Sequence, residues 1–446
     1  MLIVDTAIRR RLATGRPVAV GLYGVGFMGR GMVVQAERHL PVLRFAAICN
    51  RNVERAIQAF LACGIARDDI VEVHTHAAFA DALARGKRVV TSEIALIAES
   101  PAIDIAVEST GHVEYGARVT LACIAGGKDI VSLNVELDAT VGPLLKARAD
   151  AHGVILSGAD GDQPGVTMNL VRHIRTMGLR PLVCGNIKGL QDRTRNPATQ
   201  AGFARQWNQT PAMVASFADG TKMTAEQAIV ANAVGLQVSQ RGMIGRDHDG
   251  HVDELVDMYD HAAVEALGGI VDYVVKARPS PGIYVLAGAQ DDNQRFFLDL
   301  GKLGKGPFYS FYTAWHLTTL EFPISIARVA LCRDVIIAPA AGPRVDVVAT
   351  AKTDLRAGDA IDGIGGFKTY GIAENYATAR RERLLPMGLA EGCRLRRDVA
   401  RDQVLTYEDV DLAPDALVNG LRAEQDLMFP VAAAATAQPH LQGETA

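Results

Sequence analysis

A glycine loop restricts this chain more than any other feature. It reads Gly24-Val25-Gly26-Phe27-Met28-Gly29 and lies between the apolar run "VAVGLY" and the helix-like "RGMVVQAERHL". The G-x-G-x-x-G spacing suits a strand that turns sharply into a helix. Gly24 permits the turn, Gly26 lets backbone approach a pyrophosphate, and Gly29 lets helix and strand pack closely. The free N–H groups at the helix start then face an anion. The loop alone is a weak signal, and its setting strengthens it. The apolar runs "LRFAAIC", "RVVTS", "IDIAVEST", "DIVSLN" and "GVILSG" follow, separated by helical patterns such as "NVERAIQAFLAC". Strands alternating with helices at this spacing predict βαβ units and a parallel sheet.

At 446 residues the chain exceeds what one core holds, so several domains are expected. The pattern predicts an α/β protein in three parts: a Rossmann domain over 1–155, a central α+β catalytic and dimerisation domain over 156–340, and a small mostly-β domain over 341–430. The low-complexity end, 431–446, is expected to be disordered. In the centre, "TMNLVRHIRTMG" reads as a helix, and "PLVCGNIKG", "GIVDYVVKA", "GIYVLAG" and "FFLDLG" read as strands. "PFYSFYTAWH" reads as an aromatic loop that leads into a helix. A formal net charge of −4 argues against a nucleic-acid partner. The absence of any long uncharged apolar run argues against a membrane partner and for a cytoplasmic location. The six cysteines are scattered without a C-x-x-C spacing and read as buried, reduced thiols.

The second strand runs out into Asn50 and Arg51, where NAD-binding folds usually place an acid for the ribose 2′-OH. A carboxylate there would repel a 2′-phosphate, whereas a guanidinium pairs with one bidentately. The pair therefore predicts NADPH. Ser109-Thr110-Gly111 ends a further strand with small residues, which leaves room for the nicotinamide ribose. Asn134 stands at the same edge, and Glu136 behind it is placed with the cofactor. Asp138 reads as a helix-start residue.

With the glycine loop, "VEST-G", "GK-IV--N" and "ILSGADGDQPG", the chain resembles homoserine-dehydrogenase-like oxidoreductases. Those enzymes place a lysine after the asparagine of "GK-IV--N", and here that position is Val135. "SFADGTKM", "YTAWHLTTLEFPISIA" and a tail similar to a SAF domain resemble the DRL branch of that group, the deoxyxylulose-5-phosphate-reductoisomerase-like proteins. The resemblance implies NADPH-dependent conversion of 1-deoxy-D-xylulose 5-phosphate to 2-C-methyl-D-erythritol 4-phosphate, an isoprenoid precursor of the MEP pathway. It also implies a divalent cation, Mg²⁺ or Mn²⁺, and a homodimer.

Such chemistry needs a phosphate anchor, proton-transfer groups and a means of polarising the ketone. Arg193, Arg195 and Asn196 share one loop and are the anchor candidates. Lys188 directly follows a strand, and Asp219 and Lys222 match an Asp and a Lys that the parent group uses on the substrate oxygen. His316 reads either as a proton shuttle or as a buried, satisfied histidine. Tyr309, Tyr312 and Glu321 are substrate-side candidates, the tyrosines equally able to pack. Asp160 and Asp162 either ligate the cation or cap the next helix. Two other readings stay open: an NADP-dependent dehydrogenase of a homoserine-like or sugar-acid substrate, and a non-catalytic nucleotide- or sugar-binding scaffold.

Overall fold

The computed structural model describes residues 4–431, and beyond residue 431 the expected disordered tail lies outside them. Seven parallel strands form the N-terminal sheet: β1 (Val18–Tyr23), β2 (Leu43–Cys49), β3 (Ile70–Glu72), β4 (Arg88–Thr91), β5 (Ile105–Glu108), β6 (Ile130–Ser132) and β7 (Leu156–Ser157). Their order is β3-β4-β2-β1-β5-β6-β7. The chain therefore winds outward from β1 in both directions, as in a Rossmann fold. The crevice opens at the carboxyl ends of β1 and β5, where Tyr23 pairs with Glu108. Val20, Leu22, Ile105 and Val107 are fully buried, as expected for strands covered on both faces.

A second, mixed sheet has the order β12-β11-β8-β10-β9, built from β8 (Arg180–Lys188), β9 (Arg246–Asp247), β10 (Ile270–Val275), β11 (Gly282–Gly288) and β12 (Phe308–Thr313). The helices Gln163–Thr176 and Thr221–Val234 pack against it. The C-terminal region holds two antiparallel pairs: β13 (Val345–Ala351) with β14 (Thr369–Asn375), and β15 (Arg394–Leu395) with β16 (Val410–Asp411). It ends in the helix Leu417–Met428. The overall class is the expected one, an α/β protein with a Rossmann-like N-terminal domain, further sheets and a small C-terminal β region. Among the described residues, no helix is long and apolar enough to cross a membrane.

Local assignments differ in two places. "FFLDLG" belongs to the helix Asp292–Leu300, whose start is capped by Asp291 accepting from the Gln294 N–H at 2.8 Å. The apolar run misleads because Phe296, Phe297 and Leu300 are all exposed. The aromatic "loop" is strand β12, held antiparallel to the fully buried β11. The run around "SFADGTKM", given no element from the sequence, divides at Gly220, whose φ of +92° separates one helix from the next.

Candidate functional site

The glycine loop shapes the crevice. A Cβ at Gly24 would stand 2.8 Å from the Thr110 Cα, and one at Gly29 would stand 2.5 Å from the Gly24 carbonyl oxygen. A Cβ at Gly26 would meet nothing within 4 Å, so open space lies at the start of the helix Phe27–His39, where a diphosphate fits. Asn50 joins the loop to the second strand: its Oδ1 accepts from Val25 N at 3.2 Å and its Nδ2 donates to Asn52 O at 2.7 Å. Arg51 is exposed beside it, and among the described residues no carboxylate pairs with it. Ser109 Oγ donates to Gly24 O at 2.7 Å, Thr110 donates to buried Glu108, and Gly111 adopts φ +64°. Phe27 is half exposed at the mouth, and the Met28 sulfur lies against Thr319. These residues could hold a nicotinamide dinucleotide.

Next to the crevice is a buried cluster of lysines and carboxylates. Lys222, in the first turn of the helix Thr221–Val234, lies 3.2 Å from Glu136, in the first turn of the helix Val135–Ala151. That second helix follows β6, the neighbour of β5, so the pair sits on the carboxyl side of the sheet. Lys188 ends β8 and donates to Gln163 Oε1 at 2.6 Å and to Glu226 Oε2 at 3.3 Å. Asn186 reaches the same two oxygens at 2.6 and 2.9 Å. Burial disfavours the Lys222 charge, but Glu136, Asp162 and Glu226 outweigh it and hold the ammonium above the usual lysine range. Burial pushes the Asp162 carboxyl up to about 6, against the pull of Lys222 and His316. His316 lies in the loop two residues before the helix Thr318–Cys332. Burial and the Lys188 charge lower its pKa, and its Nδ1 is enclosed without a partner. The cluster therefore holds a proton on Lys222 beside Asp162 and His316, whose acidities burial shifts in opposite directions.

The other candidates are placed differently. Asp219 is separated from Lys222: it forms a fully buried ion pair with Lys352 at 2.8 Å, because the chain turns at Gly220 and sends the two side chains apart. Arg195 is paired with Asp192 at 2.9 Å, and Asn196 caps the helix Pro197–Gln206, so neither stands free as an anchor. Arg193 is exposed and lies 5.7 Å from the centre of the Tyr370 ring. Asn134 caps its own helix through Leu137 N at 3.1 Å and donates to His112 O, and Glu136 engages Lys222 rather than the glycine loop. Tyr309 is buried beside Phe308 at the start of β12, whereas Tyr312 is exposed against His251. Glu321 sits near Asp160, and burial together with that charge raises its pKa. Of the cysteines, Cys332 is exposed and Cys63 partly so.

The expected cation does not fit these side chains. Asp160 is buried against Arg328 at 2.9 Å and accepts from Asn169 at 2.6 Å. Glu136, Asp162 and Glu226 surround an ammonium, which removes the charge a divalent ion would need. Among the described residues, no three His, Cys, Asp or Glu side chains form a metal-holding group. Three polar members of the cluster, Gln163, Asn186 and Glu226, were not legible as site residues. Glu226 alone carried a signal, lying four residues after Lys222 on one helical face.

Residues 161–322 match the family described as oxidoreductase DRL, catalytic domain, and residues 24–157 match the homoserine dehydrogenase NAD binding domain. The chain is an NAD(P)-dependent oxidoreductase of the homoserine-dehydrogenase-like type. No curated protein matches it. Among solved structures it is similar to a homoserine dehydrogenase from Thiobacillus denitrificans, at 14% identity and a TM-score of 0.43, over 87% of this chain and 98% of that one. It is also similar to 1-deoxy-D-xylulose 5-phosphate reductoisomerase from Zymomonas mobilis in complex with NADPH, at 19% identity and a TM-score of 0.32, over 47% of this chain and 57% of that one.

Proposed function

We propose that the protein is an NADPH-dependent reductoisomerase that converts 1-deoxy-D-xylulose 5-phosphate to 2-C-methyl-D-erythritol 4-phosphate. The observation that carries this reading is the charged Lys222 held by Glu136 beside the crevice. The glycine loop and Ser109-Thr110-Gly111 hold the dinucleotide, with Arg51 on the 2′-phosphate. The bound cofactor supplies a hydride to the aldehyde carbon. Lys222 gives its proton to the oxygen that becomes an alcohol, so charge does not accumulate there. In the preceding rearrangement one hydroxyl loses a proton while a carbonyl oxygen gains one, and Asp162 and His316 relay that proton. No step passes through a metal ion. Arg193, which has no carboxylate partner among the described residues, meets the substrate phosphate. The protein acts as a homodimer, a reading supported by the exposed Phe296, Phe297 and Leu300 on one helix and by β12 at the edge of its sheet.

The test mixes the full chain with NADPH and 1-deoxy-D-xylulose 5-phosphate, with and without Mn²⁺, and follows the nicotinamide absorbance. Oxidation that requires the sugar phosphate and disappears in Lys222→Met is expected. No oxidation, with NADP⁺ reduced by homoserine or a sugar acid instead, overturns the reading. Sedimentation decides the oligomeric state.

A further inference from the structure

The C-terminal region grips the site from two sides. Lys352 follows β13 directly, and its side chain is 2% exposed. Its ammonium donates to Asp219 Oδ2 at 2.8 Å, to Arg195 O at 2.7 Å and to Gly366 O at 2.8 Å, so all three of its protons are used. Asp219 in turn accepts from Thr221 N at 2.8 Å, and Gly371 N of β14 donates to Thr221 Oγ1 at 2.9 Å. Thr221 is the residue before Lys222. On the other side, Arg422 of the helix Leu417–Met428 is buried against Asp346 at 2.6 Å and donates to Thr140 O at 3.2 Å, one turn beyond Glu136. Gln425 Oε1 accepts from Leu144 N of the same helix at 3.1 Å.

We infer that the C-terminal β region is a brace across the site, and that Lys352 is a positioning residue that fixes both the Arg193 loop and the start of the Lys222 helix. Lys222 and Glu136 come from two helices. The C-terminal region contacts the start of the Lys222 helix and the second turn of the Glu136 helix, and its lysine also pins the loop after β8. The brace sets where the proton donor and the basic loop stand relative to one another. Only the choice of substrate in the test rests on the proposed reaction.

Lys352→Met alone would strand the buried Asp219 charge, so the variant is Lys352→Met with Asp219→Asn. Lys222 acetylation by acetic anhydride, read by peptide mass spectrometry, is expected to speed up several-fold while NADPH affinity stays unchanged. In turnover, KM for the sugar phosphate is expected to rise by about tenfold, in line with the cost of small misplacements. KM for NADPH should not move, a split that general loosening of the fold would not produce. Thr221→Val has the same shape without the hydroxyl, and it repeats the acetylation measurement with Lys352 intact. Wild-type acetylation rates in both variants overturn the brace, as does an equal rise in both KM values. Faster acetylation without any turnover of the sugar phosphate supports the brace and overturns only the proposed reaction.

Discussion

Asp138→Asn is expected to stabilise the protein at alkaline pH and not at acidic pH. Asp138 sits in the first turn of the helix Val135–Ala151, beside small cavities lined by Ser132, Gly158 and Ile337. Its Oδ1 is buried with no partner, and burial pushes the carboxyl from 3.8 up to about 7. In the unfolded chain it titrates near 4, so between about pH 4 and 7 the native state binds the extra proton and stability falls as pH rises. The charge costs nothing below about pH 4 and its full amount above about pH 7. A displacement of this size corresponds to about 4 kcal/mol at ~1.4 kcal/mol per tenfold change in acidity. Asparagine removes the charge but leaves an amide to bury, at roughly 1–2 kcal/mol. It also gives up a favourable interaction with the helix start of about 0.5 kcal/mol. A net gain of roughly 2 kcal/mol at about pH 8 is expected, with no gain or a small loss at about pH 4.5. Urea unfolding of both proteins at the two pH values measures the difference directly. A gain that does not depend on pH, or a loss at pH 8, would refute the assignment of an unpaired buried carboxyl.

Other perturbations probe the crevice, the cluster and the core. Arg51→Asp should weaken NADPH binding by roughly tenfold to a hundredfold, the worth of a lost charge-assisted contact, while NADH binding is spared; fluorescence titration with both cofactors checks it. Because Asp162 titrates near 6, kcat/KM should rise as pH passes through about 6 and the base form appears; Asp162→Asn should remove that acid limb from the profile. Arg328→Met leaves Asp160 buried without its cation and should cost roughly 3–5 kcal/mol in denaturant unfolding, with Asp160→Asn in the same chain recovering part of it. Gly29→Ala should destabilise the N-terminal domain and abolish cofactor binding, since its Cβ has no room beside the Gly24 carbonyl.

The parallel sheet was readable because each strand is a short apolar run and each covering helix repeats its apolar residues every three to four positions. Where that pattern was blurred, the reading failed: "FFLDLG" is a helix whose aromatic side chains face outward, and "PFYSFYT" is an edge strand without clean alternation. Lys188, Lys222, Asp162 and His316 come together around the same carboxylates, although they lie on four separate segments of the chain. Asp219 was grouped with Lys222 through the resemblance to the parent dehydrogenases, yet a left-handed glycine between them sends one to Lys352 and the other to Glu136.

Local patterns in the chain carry the glycine loop, the strand–helix alternation and the missing acid at Asn50-Arg51, because turns, periodicity and the end of a strand depend on near neighbours. Which lysine meets which carboxylate is a long-range matter. Lys222 and Glu136 are 86 positions apart, and Lys352 and Asp219 are 133 apart. Those pairings exist only once the two sheets and the C-terminal region have packed. Burial then turns ordinary surface charges into groups that must find a partner or change their protonation.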